Sequence, residues 1–209
     1  MGINPEISAL QKETTRRMIL SAGFRIFSEQ TIEKVKMTDV AEASRIGVAT
    51  VYRYYGTKAD LVAAISTWAW GQYVSQVVQQ STEHMSAAEE LSFFLETFMD
   101  LYRNHKDILR FNQFFNVYIE SETVSEEAMK PFKAVIGQIV KRFHVIYEKA
   151  QKDHTVRTDI PENEIFSECL HLMLAAVTRY AVGLVFESGV DPEKELTLLK
   201  NMLLREFTC

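Results

Sequence analysis

The sequence predicts an all-α protein, and three observations carry that prediction. Apolar residues recur at helical spacing almost everywhere. Turn formers are scarce, with four Pro and eight Gly in 209 residues. No segment alternates apolar and polar residues with the period of two that marks a half-buried strand.

The helices can be taken in order. Ile19, Ala22, Ile26 and Phe27 share one helical face. Leu61, Ile65, Trp68 and Tyr73 begin a second stripe. Leu91, Phe94, Leu95, Phe98 and Leu101 form a third, continued by Phe111, Phe114, Phe115 and Tyr118. Phe132, Ile136, Ile139, Phe143, Tyr147 and Ala150 make a long fourth. Helix starts are marked by residues that satisfy the first backbone N–H groups. Thr38 precedes a short helix, and Thr57 is placed to cap a long one. Ser86 and Glu89 have capping-box spacing. Ser125 is followed by Glu126 and Glu127, acids that suit the positive end of a helix. Asp159 or Ile160 precedes Pro161, and Asp191 precedes Pro192; proline is favoured at a first helical position. Gly189 is placed to end the penultimate helix. The count is about nine helices. They are short between Thr38 and Tyr55 and long after Thr57, as in a bundle. The expected architecture is a three-helix head over residues 1–56 and a bundle of about six helices over residues 57–209.

The composition fits a soluble globular chain, with 47% hydrophobic and 24% charged residues. Cys169 and Cys209 form no CxxC pair, so neither a disulfide framework nor a structural zinc site is expected. Met1 to Gln11 lack the pattern of a secretory leader. The most apolar stretch, Cys169 to Phe186, is interrupted by His171, Thr178 and Arg179, which argues against a membrane span. A cytoplasmic location with no membrane partner is expected. The net charge of −5 argues against a polyanion partner until the chain is divided. Residues 1–60 hold nine Lys/Arg and seven Asp/Glu, and residues 61–209 hold 14 and 21. Any polyanion contact therefore belongs to the front end.

The stretch Thr38 to Leu61 has the spacing of a helix-turn-helix. Val40, Ala41 and Ala43 give one short helix an apolar face, Ile46 lies in the turn, and Val51 and Tyr55 lie one turn apart on the second helix. In such a motif the second helix enters the major groove. Its other face would carry Val48, Ala49, Thr50, Tyr52, Arg53 and Tyr54. Ala and Thr methyls suit a thymine methyl, and Arg53 suits a guanine edge or a phosphate. On spacing alone a plain helical hairpin with core aromatics is an equal alternative.

Thr50-Val51-Tyr52-Arg53-Tyr54-Tyr55, then Lys58 and Leu61, resembles the head of the TetR (tetracycline repressor) family of transcriptional regulators. Phe27 and Thr38-Asp39-Val40-Ala41 fall at matching distances, so the resemblance covers roughly residues 15–65. It implies that Thr38 caps the second helix and touches a phosphate. It further implies that Thr50, Tyr52 and Tyr54 are recognition-helix contacts and that Lys58 is a phosphate anchor. Arg45, Gly47, Val48, Ala49 and Arg53 complete the expected DNA-binding set. The sequence departs from the family pattern at several places. Thr31 and Arg45 stand where the family usually has Gly, Gly23 where it has Ala, Gly47 where it has a capping Ser, and Tyr55 where it has a core Phe.

The resemblance also implies a ligand-sensing, dimeric body. Residues 93–118 hold eight aromatics, and Phe94, Phe98, Tyr102, Phe111, Phe114, Phe115, Tyr118, Phe143, Tyr147 and Met173 are the expected pocket. Asn112, Gln113 and Asn116 are its candidate polar groups. The bland alternative for each ring is core filling. The helix from Ile165 to Phe186 is apolar on nearly every side, so it must be buried on nearly every side. With the last helix it forms the expected homodimer interface, through Phe166, Leu170, Leu174, Val177, Tyr180, Leu184, Leu199 and Leu203. A central core helix in a monomer is the alternative.

The five histidines are scattered, with His144 and His171 on long helices where they could meet. No nucleophile elbow, phosphate loop or dinucleotide fingerprint occurs. No catalytic residue, metal or cofactor is expected. The reading is a repressor that binds a palindromic operator in double-stranded DNA as a homodimer and is released by a small apolar or aromatic molecule. Its rival is a DNA-localised factor whose body binds another protein. An enzyme on a helical scaffold comes third.

Overall fold

The computed structural model describes residues 5–122, 124–185 and 189–209, so Phe186, the end of the apolar run, lies outside the described residues. Nine α-helices occur among the described residues: α1 (Pro5–Glu29), α2 (Met37–Ser44), α3 (Val48–Tyr54), α4 (Lys58–Val78), α5 (Ala87–Asn104), α6 (Lys106–Ser121), α7 (Glu126–Asp153), α8 (Glu162–Ala181) and α9 (Pro192–Phe207). A 3₁₀ turn spans Ile32–Lys34.

Most helix starts are built as their sequences suggest. Thr57 Oγ1 accepts the Asp60 N–H at 3.0 Å, and Asp60 returns a carboxylate oxygen to the Thr57 N–H at 3.1 Å. Ser86 and Glu89 close the same reciprocal box on α5. Asp191 caps α9, with Pro192 as its first residue. Three boundaries differ from expectation. The cap of α2 is Lys36, whose N–H donates to Asp39 at 2.8 Å, and Thr38 already lies inside the helix. Pro161 is itself the cap of α8. α8 ends at Ala181, well before Gly189.

Two departures from the family pattern separate here. Thr31 has an extended backbone, φ −61°, and bears no strain. Arg45, which ends α2, is left-handed at φ 56°, a conformation that costs a residue with a Cβ about 1 kcal/mol.

The backbone divides into two compact units, and the division does not fall at residue 56. One unit comprises Met1–Gln72 with Phe111–Lys133; the other comprises Tyr73–Arg110 with Ala134–Cys209. The helix pattern could not show this, because α4, α6 and α7 each run unbroken from one unit into the other.

The first unit closes over Ile19, Phe27, Ile32, Val40, Val51, Leu61, Ile65, Phe111 and Phe115, all fully buried. Each such side chain contributes roughly 1.5–3 kcal/mol of burial free energy. Gly23 lets α1 come close: a Cβ there would stand 2.5 Å from the Ile65 side chain. Phe111 stacks on Phe115 at 5.8 Å and meets Phe24 edge-on at 5.6 Å.

The second unit is centred on α5 and α8. Phe94, Phe98, Phe143 and Phe166 form an aromatic cluster with ring centroids 5.2–6.2 Å apart, edge-to-face except for the tilted Phe94–Phe166 pair. Beside it Cys169, Met173 and Val177 are fully buried. Lys149 reaches from α7 to the carbonyls of Thr82 and Met85, at 3.2 and 2.7 Å, and to the Glu90 carboxylate. Glu90 is 1% exposed and its second oxygen has no hydrogen-bond partner, so Lys149 alone compensates that buried charge.

Candidate nucleic-acid interface

The reading face is made by two short helices and the turn between them. Val40 and Ala41 bury one face of α2, and Val51, fully buried, pins α3 to the core. Pinning at Val51 turns the positions two residues away, Ala49 and Arg53, to the solvent side, because a helix advances 100° per residue. Val48 and Tyr52 are 39% and 49% exposed despite their apolar bodies, and Ala49 and Arg53 are exposed as well. Thr50 is half-buried. Gly47 caps α3 with ordinary backbone and open space around it, so the glycine answers no steric demand there. The exposed guanidinium groups of Arg45 and Arg53 make no hydrogen bond or ion pair among the described residues. Arg53 is thus a five-donor fork held ready on a helix surface.

Two residues expected at the interface are already engaged elsewhere. Tyr54 is half-buried, and its hydroxyl donates to the Lys12 carbonyl of α1 at 3.3 Å. That bond fixes α3 against α1, and it occupies the hydroxyl expected at DNA. Lys58 Nζ donates to the Glu33 and Val35 carbonyls, at 3.2 and 2.9 Å, and lies 5.6 Å from the centre of the Tyr118 ring. Partial burial pulls the Lys58 pKa below its usual value, against the opposing pull of Glu33. Its ammonium ties the segment before α2 to the start of α4, leaving one proton for an outside acceptor. Thr38 is exposed beside these groups.

The expected pocket residues fall into two separate sets. Phe111, Phe115 and Tyr118 belong to the core of the first unit and Phe114 packs partly buried against it, so they are corrected from pocket lining to head packing. Asn112, Gln113 and Asn116 lie on the same stretch. Phe94, Phe98, Phe143 and Met173 lie in the second unit. Tyr102 carries the Lys106 ammonium over its ring at 4.3 Å. The Tyr147 hydroxyl donates to Thr158 and Ile160 carbonyls at 3.2 and 2.9 Å, which fixes the α7–α8 connection.

The expected dimer residues also divide. Val177 and Leu203 are buried within the unit and unavailable to a second chain, and Phe166 packs on Phe94 and Phe143. Leu170, Leu174, Tyr180 and Leu199 are half-buried, and Leu184 is exposed. The apolar side chains that α8 and α9 leave in solvent include Leu172, Leu198 and Met202. An all-round apolar helix does not reveal which of its faces its own chain covers.

Among the described residues, no group of three or more His, Cys, Asp or Glu could hold a metal. His144 pairs with Glu162 at 2.9 Å, and His171 lies near Ser167 at 3.2 Å. No helix among the described residues is long and apolar enough to cross a membrane.

Residues 19–65 match the family model described as bacterial regulatory proteins, tetR family. The chain is 21% identical over 191 residues to the HTH-type transcriptional regulator YvdT of Bacillus subtilis, across 88% of this chain and 93% of that one. It is 33% identical over 63 residues to the HTH-type transcriptional repressor LfrR of Mycolicibacterium smegmatis, across 30% of this chain and 32% of that one. The transcriptional regulator FadR of Bacillus subtilis, solved in complex with stearoyl-CoA, superposes with a TM-score of 0.69 at 13% identity, over 90% of this chain and 97% of that one. At that identity the superposition establishes a common fold. Residues 19–65 thus carry the helix-turn-helix DNA-binding head of the TetR family of transcriptional regulators, on a fold shared with such regulators along most of the chain.

Proposed function

We propose that the chain is a ligand-responsive repressor that binds a palindromic operator as a homodimer and is released by a small apolar or aromatic molecule. The observation that carries this reading is the exposed face of α3. Val48, Ala49, Tyr52 and Arg53 stand in solvent at successive reading positions, with the Arg53 fork unspent. A dimer presents two such helices to half-sites about one helical turn apart, roughly 34–36 Å. The exposed Leu172, Leu198 and Met202 on α8 and α9 support a second chain docking there, and the aromatic cluster of the second unit supports an apolar ligand. The acyl-CoA complex of FadR supports the same expectation by likeness of fold.

Such a ligand acts only through its differential affinity for the DNA-competent and DNA-incompetent states, so the operator must weaken ligand binding in return. The test is fluorescence anisotropy on duplexes tiling the DNA around the protein's own gene, with competitor DNA and a salt titration. Tight, saturable binding of two chains to one palindromic tile is the expected result. Weak binding independent of tile would sink the operator reading.

A further inference from the structure

The first unit holds an open cleft of about 630 Å³ walled by α1, α4 and the first turns of α7. That volume falls in the range of small-molecule sites, about 300–1,000 Å³. Its lining is mainly apolar, with Leu20, Ala64, Trp68 and Pro131 contributing. The charged residues around it are unbalanced. Glu13, Asp60 and Glu127 face a single guanidinium, Arg16. Lys130 lies 3.6 Å from Glu127, and carboxylates still outnumber cations when it is counted. Glu13 has no hydrogen bond or ion pair among the described residues.

A second, independent observation concerns Tyr55, the residue that ends α3. It is only 8% exposed and lines the cleft, yet its hydroxyl has no hydrogen-bond partner among the described residues. Glu13 and Arg16 are the cleft charges that act on it, and burial pushes its pKa up to about 12, so the hydroxyl stays protonated. The ring is buried, while the hydroxyl opens on the cleft, where no group of the described residues bonds it. Pro131 adds to the negative character, because it has no N–H to offer the Glu127 carbonyl one turn earlier.

We propose that this cleft is an effector site for a bulky apolar monovalent cation, an aromatic amine or a quaternary onium ion. The apolar lining takes the hydrocarbon, Trp68 offers a cation–π face, and Glu13, Asp60 and Glu127 supply the countercharge. The occupant touches Tyr55 and α1, the helix to which Tyr54 ties α3. The effect on DNA rests on the function proposed above, whereas the binding does not.

Tetraphenylphosphonium and tetraphenylborate, of similar size and opposite charge, make the test. The full chain is titrated with each, following tryptophan emission for Trp68 and calorimetry for stoichiometry. One phosphonium per chain is expected, with the borate at least about tenfold weaker. The Glu13→Gln/Glu127→Gln double variant, altered only at exposed positions, should weaken the phosphonium about tenfold. Ala128→Trp, which fills the cleft, should abolish its binding. Equal affinity for the two ions, or phosphonium binding unchanged in both variants, overturns the proposal. Saturating phosphonium should shift duplex affinity by about 5- to 150-fold, the usual span of coupling between sites. Binding that obeys the variants in a chain with no affinity for any duplex keeps the site and removes the DNA reading.

Discussion

The two units of this chain spend their cations differently. In the second unit four basic side chains are paired with carboxylates, most of them between helices or across loops: Lys149 with Glu90, Arg103 with Glu96 and Glu193, Lys200 with Glu96, and Arg157 with Asp159 and Glu206. In the first unit the ion pairs among the described residues are confined to the start of α7, where Lys130 and Lys133 meet Glu127 and Glu126. Arg45 and Arg53 on the reading side are left open. A polyanion rewards unspent cations, since each phosphate neutralised releases condensed counterions. A net charge of −5 is therefore no obstacle to DNA binding, because the excess acid lies outside the head.

This contrast can be broken from either side, and the largest effect is expected in the second unit. Lys149→Met leaves the Glu90 carboxylate buried without its cation and should cost about 3–5 kcal/mol of stability. Urea denaturation would measure this, and Lys149→Met/Glu90→Leu should recover most of it. A single variant as stable as the parent would mean that water already reaches Glu90. On the reading side the pattern should reverse. Arg53→Ala is expected to leave the melting temperature unchanged while costing about 1–3 kcal/mol of operator affinity and relaxing specificity at one base pair. A uniform loss across all sequences would make Arg53 a phosphate contact instead.

Lys58 lies between these cases. Lys58→Ala should lower stability by about 1 kcal/mol through the lost carbonyl bonds and flatten the salt dependence of DNA binding by about one unit. Lost stability with an unchanged salt slope would make Lys58 a clamp and nothing more. The smallest effect is expected at His144. Hydrogen bonding to Glu162 raises its pKa above the ordinary histidine value. A group with a raised folded-state pKa stabilises fully below its unfolded value, about 6.5, and loses that contribution as pH climbs through the folded value. Thermal melts of His144→Gln and parent should therefore differ slightly at pH 5.5 and converge by pH 8.5. A gap that persists at pH 8.5 would assign the interaction to neutral hydrogen bonding.

Several of these features are readable from sequence because they are local. The caps at Thr57, Ser86 and Asp191 need only residues three positions apart, and the helix-turn-helix needs only the spacing from Val40 through Val51 to Tyr55. The left-handed end of α2 at Arg45 was not readable this way, since the same departure from the family pattern at Thr31 has an extended backbone. The aromatics of α6 show where such reading stops. Phe94 and Phe111 sit in one continuous aromatic-rich stretch, yet Phe94 packs in one unit and Phe111 in the other. Periodicity reports which side of a helix is apolar, not which neighbour covers it.

The sequence by itself determined the all-α class, most helix starts, the reading helix and the charge division between the two ends. These depend on backbone hydrogen bonding, side-chain periodicity and counting, all of which act within a few residues. Tertiary structure alone decided that α4, α6 and α7 are shared between two units, that Tyr54 and Lys58 are tied to carbonyls distant in sequence, and that Val177 and Leu203 face inward. It alone placed the Tyr55 hydroxyl at a cleft beside Glu13 and Glu127. Contacts between segments tens of residues apart are set by how whole helices close a common core, and no local pattern encodes that choice.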